Sequence, residues 1–216
     1  MMRIERDKYN SREEVQTLKS LDPKWSSKKF SWKIKDNNGR WFDVRKKIKP
    51  ILLEMTKSHC SFCDVFISSD FFHPSIEHFK PKSIFPLYAY KWENLFISCE
   101  GCTEKKGDNY SSYLLKPDHK DYDFEKYFEI LVDGRLVPNS SLSDCRRAMA
   151  DCTLKLYALN GRNDLVKRRK EEIKNYLLRR ATSGEVISVS EEVSFRFVYL
   201  IKINHETLEF IESCCK

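Results

Sequence analysis

Two pairs of cysteines at the same spacing constrain this chain more than any other feature of its sequence. Each pair follows the pattern C-x-x-C, and thirty-five residues separate the pair Cys60 and Cys63 from the pair Cys99 and Cys102. A C-x-x-C turn can direct two sulfur atoms at one ion, and two such turns complete the tetrahedron that Zn²⁺ prefers. We therefore expect a structural zinc ion that holds the two ends of the intervening stretch together. The alternative is a pair of reduced cysteine turns without a metal.

A series of polar motifs lies between and just after the cysteine pairs. Glu77 and His78 are adjacent, Asn94 lies in the motif W-x-N-L, and Thr103 directly follows the last cysteine. These residues resemble the HNH (His-Me finger) endonucleases, in which an acidic residue with a histidine, a central asparagine and a third metal-binding residue share a ββα-metal unit. A closer resemblance, to the PtuB nucleases of Septu and retron-associated anti-phage systems, is carried by four segments: SIEHFKPKSIFP, YKWENLFISCEGC, KKGDNY and LYALNGRNDLVKRR.

This resemblance covers the chain from about Ile48 to about Lys170 and implies metal-dependent hydrolysis of DNA phosphodiester bonds. It implies that His78 is the general base, because a neutral imidazole can accept a proton from water near neutral pH. It also implies that Glu77 supplies an oxygen ligand to a catalytic Mg²⁺ or Mn²⁺ ion. Asn94 would brace the loop that positions the histidine. The catalytic ion is distinct from the zinc ion, whose four ligands leave no open position.

Thr103 is the position at which the sequence departs from the family pattern. HNH proteins usually place histidine or asparagine after the second cysteine pair, whereas a threonine hydroxyl is a shorter and weaker neutral ligand. Three interpretations stay open: Thr103 binds the ion through a water molecule, Asp108 takes its place, or the active site is weakened. Glu77 in place of the more common aspartate is a smaller change, and it matches the PtuB nucleases.

Four lysines flank the candidate site in sequence: Lys80, Lys82, Lys105 and Lys106. If they converge in space, they form a basic rim that contacts the phosphates of a DNA backbone. The alternative is an ordinary solvated surface. The formal net charge of +7 suits a polyanionic partner but raises the odds of nucleic-acid binding only modestly.

Composition favours one compact α+β protein that is mainly helical. The chain has 216 residues, of which 41% are hydrophobic and only six are glycine. Its first residues, MMRIERDKYNSREE, are charged throughout, and no apolar run reaches the length of a membrane span. We therefore expect a cytoplasmic protein whose eight cysteines are thiols or metal ligands rather than disulfides.

Three segments make up this predicted domain, in which a zinc-stapled ββα-metal unit lies among N- and C-terminal helices. They are a helical N-terminal segment (1–58), the zinc-bound HNH nuclease core (59–110), and a hairpin followed by helices (111–216). In the first segment Ser11 and Glu14 can form a capping box before a short helix.

A second helix of the N-terminal segment is predicted by apolar residues at helical spacing from Trp41 to Met55, and Pro50 should kink or restart it. Aromatic residues interleaved with lysines precede and enter this helix, and we expect them to pack in a core rather than to stack on bases. These residues are Trp25, Phe30, Trp32, Trp41 and Phe42.

In the core segment, the pattern predicts a strand over 71–79 that carries the Glu-His pair. Neighbouring strand residues point to opposite faces, so this strand must end or bulge at the pair if both side chains are to reach one metal ion and its water. We expect the return strand over 87–90 and a short helix from about 99 to 106, which would bring Thr103 near the hairpin.

The C-terminal segment contains a good hairpin signal, the turn Asp133-Gly134 between two apolar runs. Helices are predicted over 142–157 and after Asn163, and a last one from Ser188 to Glu212. Cys214 and Cys215 carry no interpretable pattern.

The function that we predict from these features is that of a nuclease subunit. The implied partners are DNA and a separate PtuA-type ATPase, together with a second copy of this chain in a homodimer within a larger complex. The chain has no G-x-x-x-x-G-K-[ST] motif, so nucleotide sensing would come from another polypeptide. The rival interpretation is a zinc-stapled module that binds nucleic acid or protein without catalysis. A third is a stand-alone restriction-type nuclease that needs no ATPase.

Overall fold

The computed structural model describes residues 1–21, 30–67, 74–183 and 194–200. Several predictions fall outside these residues, namely those for Trp25, the start of the strand at Phe71, Cys214, Cys215, and the parts 188–193 and 201–212 of the last predicted helix. The described part of that predicted helix contains a 3-10 helix, Arg196–Leu200, rather than an α-helix.

Contacts within the chain divide it into two compact units. The first unit contains Met1–Arg3, Phe62–Phe66 and Tyr113–Lys216, and the second contains Ile4–Ser61 and Ile67–Ser112. That the whole chain forms one domain with three sequence segments stays a prediction.

The described residues form an α+β protein with six α-helices and three two-stranded antiparallel sheets, which confirms the predicted class. The helices are α1 (Glu13–Ser20), α2 (Val44–Thr56), α3 (Glu100–Lys106), α4 (Phe124–Tyr127), α5 (Asp144–Leu156) and α6 (Asn163–Ser183). The strands are β1 (Lys33–Lys35), β2 (Trp41–Asp43), β3 (Ser75–His78), β4 (Leu95–Ser98), β5 (Phe128–Ile130) and β6 (Leu136–Pro138). None of the described helices is both long enough and apolar enough to cross a membrane.

Helix α1 begins without the predicted capping box. The residue that precedes it is Arg12, and no side chain caps its first turn. The prediction for Ser11 is wrong because the helix begins two residues after it, whereas a capping side chain must come directly before the first helical residue.

Helix α2 begins after Asp43, whose side chain accepts a hydrogen bond from the backbone N–H of Lys46 at 2.9 Å. It continues through Pro50 as one element, so the proline does not restart it. The predicted apolar face is buried, and its members are Val44, Ile48, Leu52 and Met55. The spacing also predicts Trp41 in this face, and that prediction is wrong: Trp41 lies in β2 and is 73% exposed.

The candidate site is built on one hairpin and the helix that follows it. Strand β3 pairs with β4 so that Glu77 lies opposite Phe96 and His78 lies opposite Leu95. β3 ends at His78, which agrees with the prediction that the strand ends or bulges at the Glu-His pair. The predicted return strand over 87–90 is wrong: Pro86 begins a 3-10 helix there, and the chain returns later, as β4.

In the first unit, the hairpin predicted at Asp133-Gly134 is present as β5 and β6. Gly134 has φ +89°, and a Cβ atom at this position would lie 2.3 Å from the carbonyl oxygen of Val166. Both the backbone conformation and the close approach of α6 therefore require glycine. α6 begins at Asn163, where the sequence predicts a helix start.

Candidate functional site

The four cysteines that the sequence pairs by spacing converge in the structure. The Sγ atoms of Cys60, Cys63, Cys99 and Cys102 all lie within 4.8 Å of one another, and all four residues are buried. A Zn–S distance of about 2.3 Å separates the sulfurs of a tetrahedral site by about 3.8 Å. The cluster could therefore hold a zinc ion, as its spacing predicts.

Hydrogen bonds from neighbouring residues support the cluster. The backbone N–H of Cys99 donates to the Sγ atom of Cys60 at 3.4 Å. The Ser98 hydroxyl lies 3.9 Å from the same sulfur, but it donates its proton to the backbone oxygen of Cys99 at 3.1 Å. Donors directed at a sulfur stabilise its thiolate form, which is the form that binds metal. Cys99 also immediately precedes α3, which places Cys102 in the first turn of that helix.

Glu77 is buried and bonded to a lysine from α3. The Nζ atom of Lys106 donates to Oε1 of Glu77 at 2.7 Å, to the backbone oxygen of His78 at 2.8 Å and to that of Gly107 at 3.3 Å. Burial raises the pKa of Glu77, and the positive charge of Lys106 opposes that rise. One ammonium group therefore holds both members of the Glu-His pair, one by its side chain and one by its backbone.

The predicted basic rim is wrong for Lys106, whose side chain is 0% exposed. A charge held inside by three oxygen atoms is not presented to a phosphate on the surface. Lys105 and Lys82 are exposed, and Lys80 is half-buried. The charge of Lys82 opposes the rise that burial causes in the pKa of Glu77, and it adds to the fall that burial causes in the pKa of His78, so this lysine lies near the pair. Contact of these other three lysines with DNA stays a prediction.

His78 has a defined tautomer. Its Nε2 atom lies 2.9 Å from the backbone oxygen of Ala89. A carbonyl oxygen can only accept a hydrogen bond, so Nε2 carries the proton and Nδ1 holds the lone pair. Burial, with a smaller effect of the Lys82 charge, lowers the pKa of His78 from 6.5 to about 4. At neutral pH His78 is therefore an uncharged imidazole with Nδ1 available as an acceptor.

Two aromatic rings from the N-terminal segment pack against His78. The ring of Phe30 meets it edge-on at 5.4 Å between centroids, and that of Trp32 lies at 5.7 Å. Phe30 also stacks on Tyr90 at 5.2 Å, and the Tyr90 hydroxyl donates to the backbone oxygen of Ser31 at 2.7 Å. The contacts of Phe30 and Trp32 contribute to the burial that lowers the pKa of the histidine.

Asn94 makes the contacts of a brace. Its Oδ1 atom accepts from the backbone N–H of Lys80 at 2.7 Å, and its Nδ2 atom donates to the backbone oxygens of Lys80 and Tyr88 at 3.0 Å each. One amide group thus fastens both ends of the loop that carries Ala89, the hydrogen-bond partner of His78. That Asn94 contributes to catalysis stays a prediction.

Of the two candidates for a third metal ligand, Thr103 lies beside Glu77. Its Oγ1 atom is 3.0 Å from the hydroxyl oxygen of Ser75, and its hydrogen bond to Glu77 lowers the pKa of that carboxyl group. Asp108 is exposed in the turn after α3. The predicted approach of Thr103 to the hairpin is therefore confirmed, whereas its binding of a metal ion stays a prediction.

Comparison with known proteins finds a relative for part of this chain. No family model matches it. It is 33% identical over 86 residues to the Septu protein PtuB of Bacillus thuringiensis. The chain is related to PtuB. The matched stretch covers 39% of this chain and 33% of the length of PtuB. The relation to PtuB that the motifs predict is confirmed, and membership of the HNH family stays a prediction.

The sequence motifs did not predict the contact between Lys106 and Glu77. A signal for it exists in the sequence, because Lys106 follows Cys102 by four residues on a predicted helix. Residues four apart share one helix face, and Cys102 must face the other cysteines. Lys106 therefore faces inward as well.

Proposed function

We propose that this protein is a metal-dependent HNH endonuclease that hydrolyses DNA phosphodiester bonds, with β3, β4 and α3 as its ββα-metal unit. The tautomer of His78 supports this proposal most strongly. A general base needs a free lone pair and a pKa that leaves it uncharged at the working pH. Nδ1 of His78 meets both conditions, because Nε2 is bonded to Ala89 and burial depresses the pKa.

Hydrolysis of a phosphodiester requires neutralisation of its charge and activation of a water molecule. In our proposal His78 accepts the proton of that water at Nδ1. Lys82 contributes positive charge next to the pair, and Asn94 holds the loop that orients the imidazole. The rings of Phe30 and Trp32 pack against the imidazole of His78 and contribute to the burial that keeps it uncharged.

The catalytic ion would be held by Glu77 and Thr103, whose oxygen atoms are the donor type that Mg²⁺ and Mn²⁺ prefer. Such ions commonly bind through one or two carboxylates, with water and substrate phosphates completing the shell, so this donor set fits. When bound, the ion would neutralise charge on the phosphate and on the leaving alkoxide. Lys106 already bonds Oε1 of Glu77, so the ion would share the carboxylate with an ammonium group.

We further propose that the protein acts in the cytoplasm as the nuclease subunit of an anti-phage complex with a PtuA-type ATPase. The relation to PtuB over 86 residues supports this proposal. A homodimer within that complex and DNA as the substrate are parts of the same proposal.

The test is a cleavage assay with purified protein and its ATPase, with Mg²⁺ or Mn²⁺ and plasmid DNA. His78→Ala should abolish cutting, and His119→Ala, at an exposed histidine of the first unit, should preserve it. Equal cutting by the parent and His78→Ala would eliminate His78 as the base. Cutting by the parent without the ATPase would indicate a stand-alone nuclease.

A second candidate function is a zinc-stapled module that binds DNA or protein without catalysis. The ion pair between Lys106 and Glu77 favours it, because a bound ammonium group competes with a divalent ion for the same carboxylate. Absence of cutting by the parent under all these conditions, together with retained binding of DNA or ATPase, would support this candidate.

A further inference from the structure

The loop that joins β3 to β4 presents large apolar side chains to solvent. We refer to residues 80–91 as the apolar loop. Ile84 and Leu87 are each 57% exposed, and Tyr88 is 41% exposed. Single exposed apolar residues are ordinary on a protein surface. Three large ones within five residues of one loop are less ordinary, and we call these three side chains the patch, because concentrations of exposed apolar residues commonly mark binding sites.

The apolar loop is held in one conformation by its own contacts. The backbone N–H groups of Ile84 and Phe85 donate to the carbonyl of Pro81 at 3.1 and 2.7 Å. The Phe85 ring turns inward and meets Tyr110 edge-on at 5.0 Å between centroids. Asn94 fastens both ends of the loop. Because the patch is already ordered, a ligand that binds it pays little for ordering this loop.

The apolar loop also contacts the candidate active site directly. The carbonyl of Ala89 accepts the Nε2–H hydrogen bond of His78, and Lys82 acts electrostatically on the same histidine. The loop that carries the exposed apolar side chains therefore also carries the hydrogen-bond partner of the proposed general base.

The charge of the apolar loop indicates what kind of molecule fits. The sequence KPKSIFPLYAYK contains three lysines and no acidic residue. The Nζ atom of Lys80 lies 4.1 Å from the ring centroid of Tyr88 and 5.9 Å from that of Tyr110, which fixes this charge beside the patch. Apolar side chains flanked by fixed positive charges suit a ligand with flat apolar faces and an anionic backbone, which describes a nucleic acid.

We propose that the apolar loop binds DNA whose bases are unpaired or easily unstacked, with Ile84 and Leu87 inserted against the bases and Lys80 and Lys82 on the phosphates. This inference rests on the proposed nuclease function and specifies its substrate class. Apolar residues that enter a base step unstack it, and the cost is smallest where the bases are already unpaired. A protein partner would use the apolar side chains but gives no reason for the lysines.

The test compares DNA binding by the full-length protein in a His78→Ala background, which prevents cleavage. The probe is a fluorescein-labelled single-stranded oligonucleotide, and a second probe carries 2-aminopurine, whose fluorescence rises when it is unstacked. The double variant Ile84→Ser/Leu87→Ser should bind roughly tenfold more weakly or worse and lose the 2-aminopurine signal, because base contacts of this kind carry much of the affinity. A completely paired duplex should bind more weakly than the single strand.

Two matched variants separate the apolar contribution from the electrostatic one. Trp41→Ser removes an exposed apolar side chain from β2, 73% exposed, and should bind DNA as the parent does. Lys82→Met should reduce the slope of log affinity against log salt by about 0.7, whereas Ile84→Ser/Leu87→Ser should leave that slope unchanged.

Each outcome tests a different statement. Parental DNA affinity and 2-aminopurine signal in Ile84→Ser/Leu87→Ser would overturn the inference. If that variant instead loses association with the ATPase, the apolar loop is a protein-docking surface and the inference is also overturned. A parent that cuts DNA while the loop variant binds normally refutes the inference alone. A parent that neither binds nor cuts nucleic acid refutes the proposed function as well.

Discussion

Replacing Lys106 by methionine should lower the free energy of unfolding of the second unit by about 3–5 kcal/mol, the usual cost of removing one partner from a buried ion pair. The pair with Glu77 meets the conditions for this cost, since the two side chains are 0% and 9% exposed and their charged atoms are 2.7 Å apart. Methionine nearly preserves the volume of the lysine stem. The loss therefore reports on the charge and its hydrogen bonds rather than on a cavity.

The magnitude depends on what happens to the carboxyl group that is left behind. Burial already raises the pKa of Glu77, so without Lys106 this group can relieve part of the cost by taking up a proton. Glu77→Gln leaves the opposite problem, a buried ammonium group that keeps two backbone carbonyls but no anion. The double variant Glu77→Gln/Lys106→Met removes both charges and should be more stable than the sum of the single effects predicts, by about 2 kcal/mol.

Urea denaturation, monitored by tryptophan fluorescence, measures these changes in the free energy of unfolding in the second unit. Three of the four tryptophans belong to the described residues, and all three lie within the second unit: Trp32, Trp41 and Trp92. Lys105→Met is the matched control, because Lys105 neighbours Lys106 on α3 but is exposed, and its replacement should change stability by less than about 0.5 kcal/mol. Equal effects of the two lysine variants, or single effects of Glu77→Gln and Lys106→Met that simply add, would refute the argument.

Three further predictions concern the four-cysteine cluster, Asn94 and His78. Cys102→Ser should reduce zinc content, measured by plasma mass spectrometry, from about one ion per chain to almost none, whereas the exposed Cys145→Ser should keep it. Asn94→Ala should cost about 2–3 kcal/mol in urea denaturation because it strands buried backbone groups, and Asn109→Ala, which loses one bond at an exposed residue, should cost much less. The pKa of His78 falls to about 4 on folding, so between pH 6.5 and 4 the unfolded chain binds more protons than the folded chain. The free energy of unfolding therefore keeps its full contribution from His78 above pH 6.5 and decreases by about 3 kcal/mol on acidification to pH 4. His78→Gln should lack this part of the slope, and a parent with no greater slope than His78→Gln would contradict the assigned burial.

The convergence of the four cysteines could be predicted from the sequence because their spacing indicates which sulfur atoms can share one ion. Two residues between cysteines fix each turn, and the chemistry of zinc fixes how two turns combine. The partners in β3 and β4 could not be assigned in the same way. The segment over 87–90 has residues that favour strands, but Pro86 lacks a backbone N–H and starts a 3-10 helix. The chain therefore pairs with β3 only from Leu95 onward.

The fate of a charged side chain is harder to predict than that of a cysteine. Lysines are almost always exposed, so Lys106 is naturally grouped with Lys105 on a basic rim. Its burial follows from the helix period, which places it on the face of Cys102, and from the carboxylate that compensates its charge. Trp41 shows the converse error: helical spacing places it inward, but it belongs to a short strand where alternate residues face solvent.

The position of Lys106 also explains why a structural cluster and a candidate active site occur on the same seven-residue helix. Cys99 precedes α3, Cys102 lies in its first turn, and Lys106 ends it. An ion that fixes Cys102 therefore fixes the start of a rigid element whose other end bonds Glu77 and the backbone of His78. A short hairpin with four-residue strands has little core of its own to define those positions. The hydrogen bonds to the Glu-His pair thus come from α3, and a zinc ion bound by the four cysteines would fix the start of that helix.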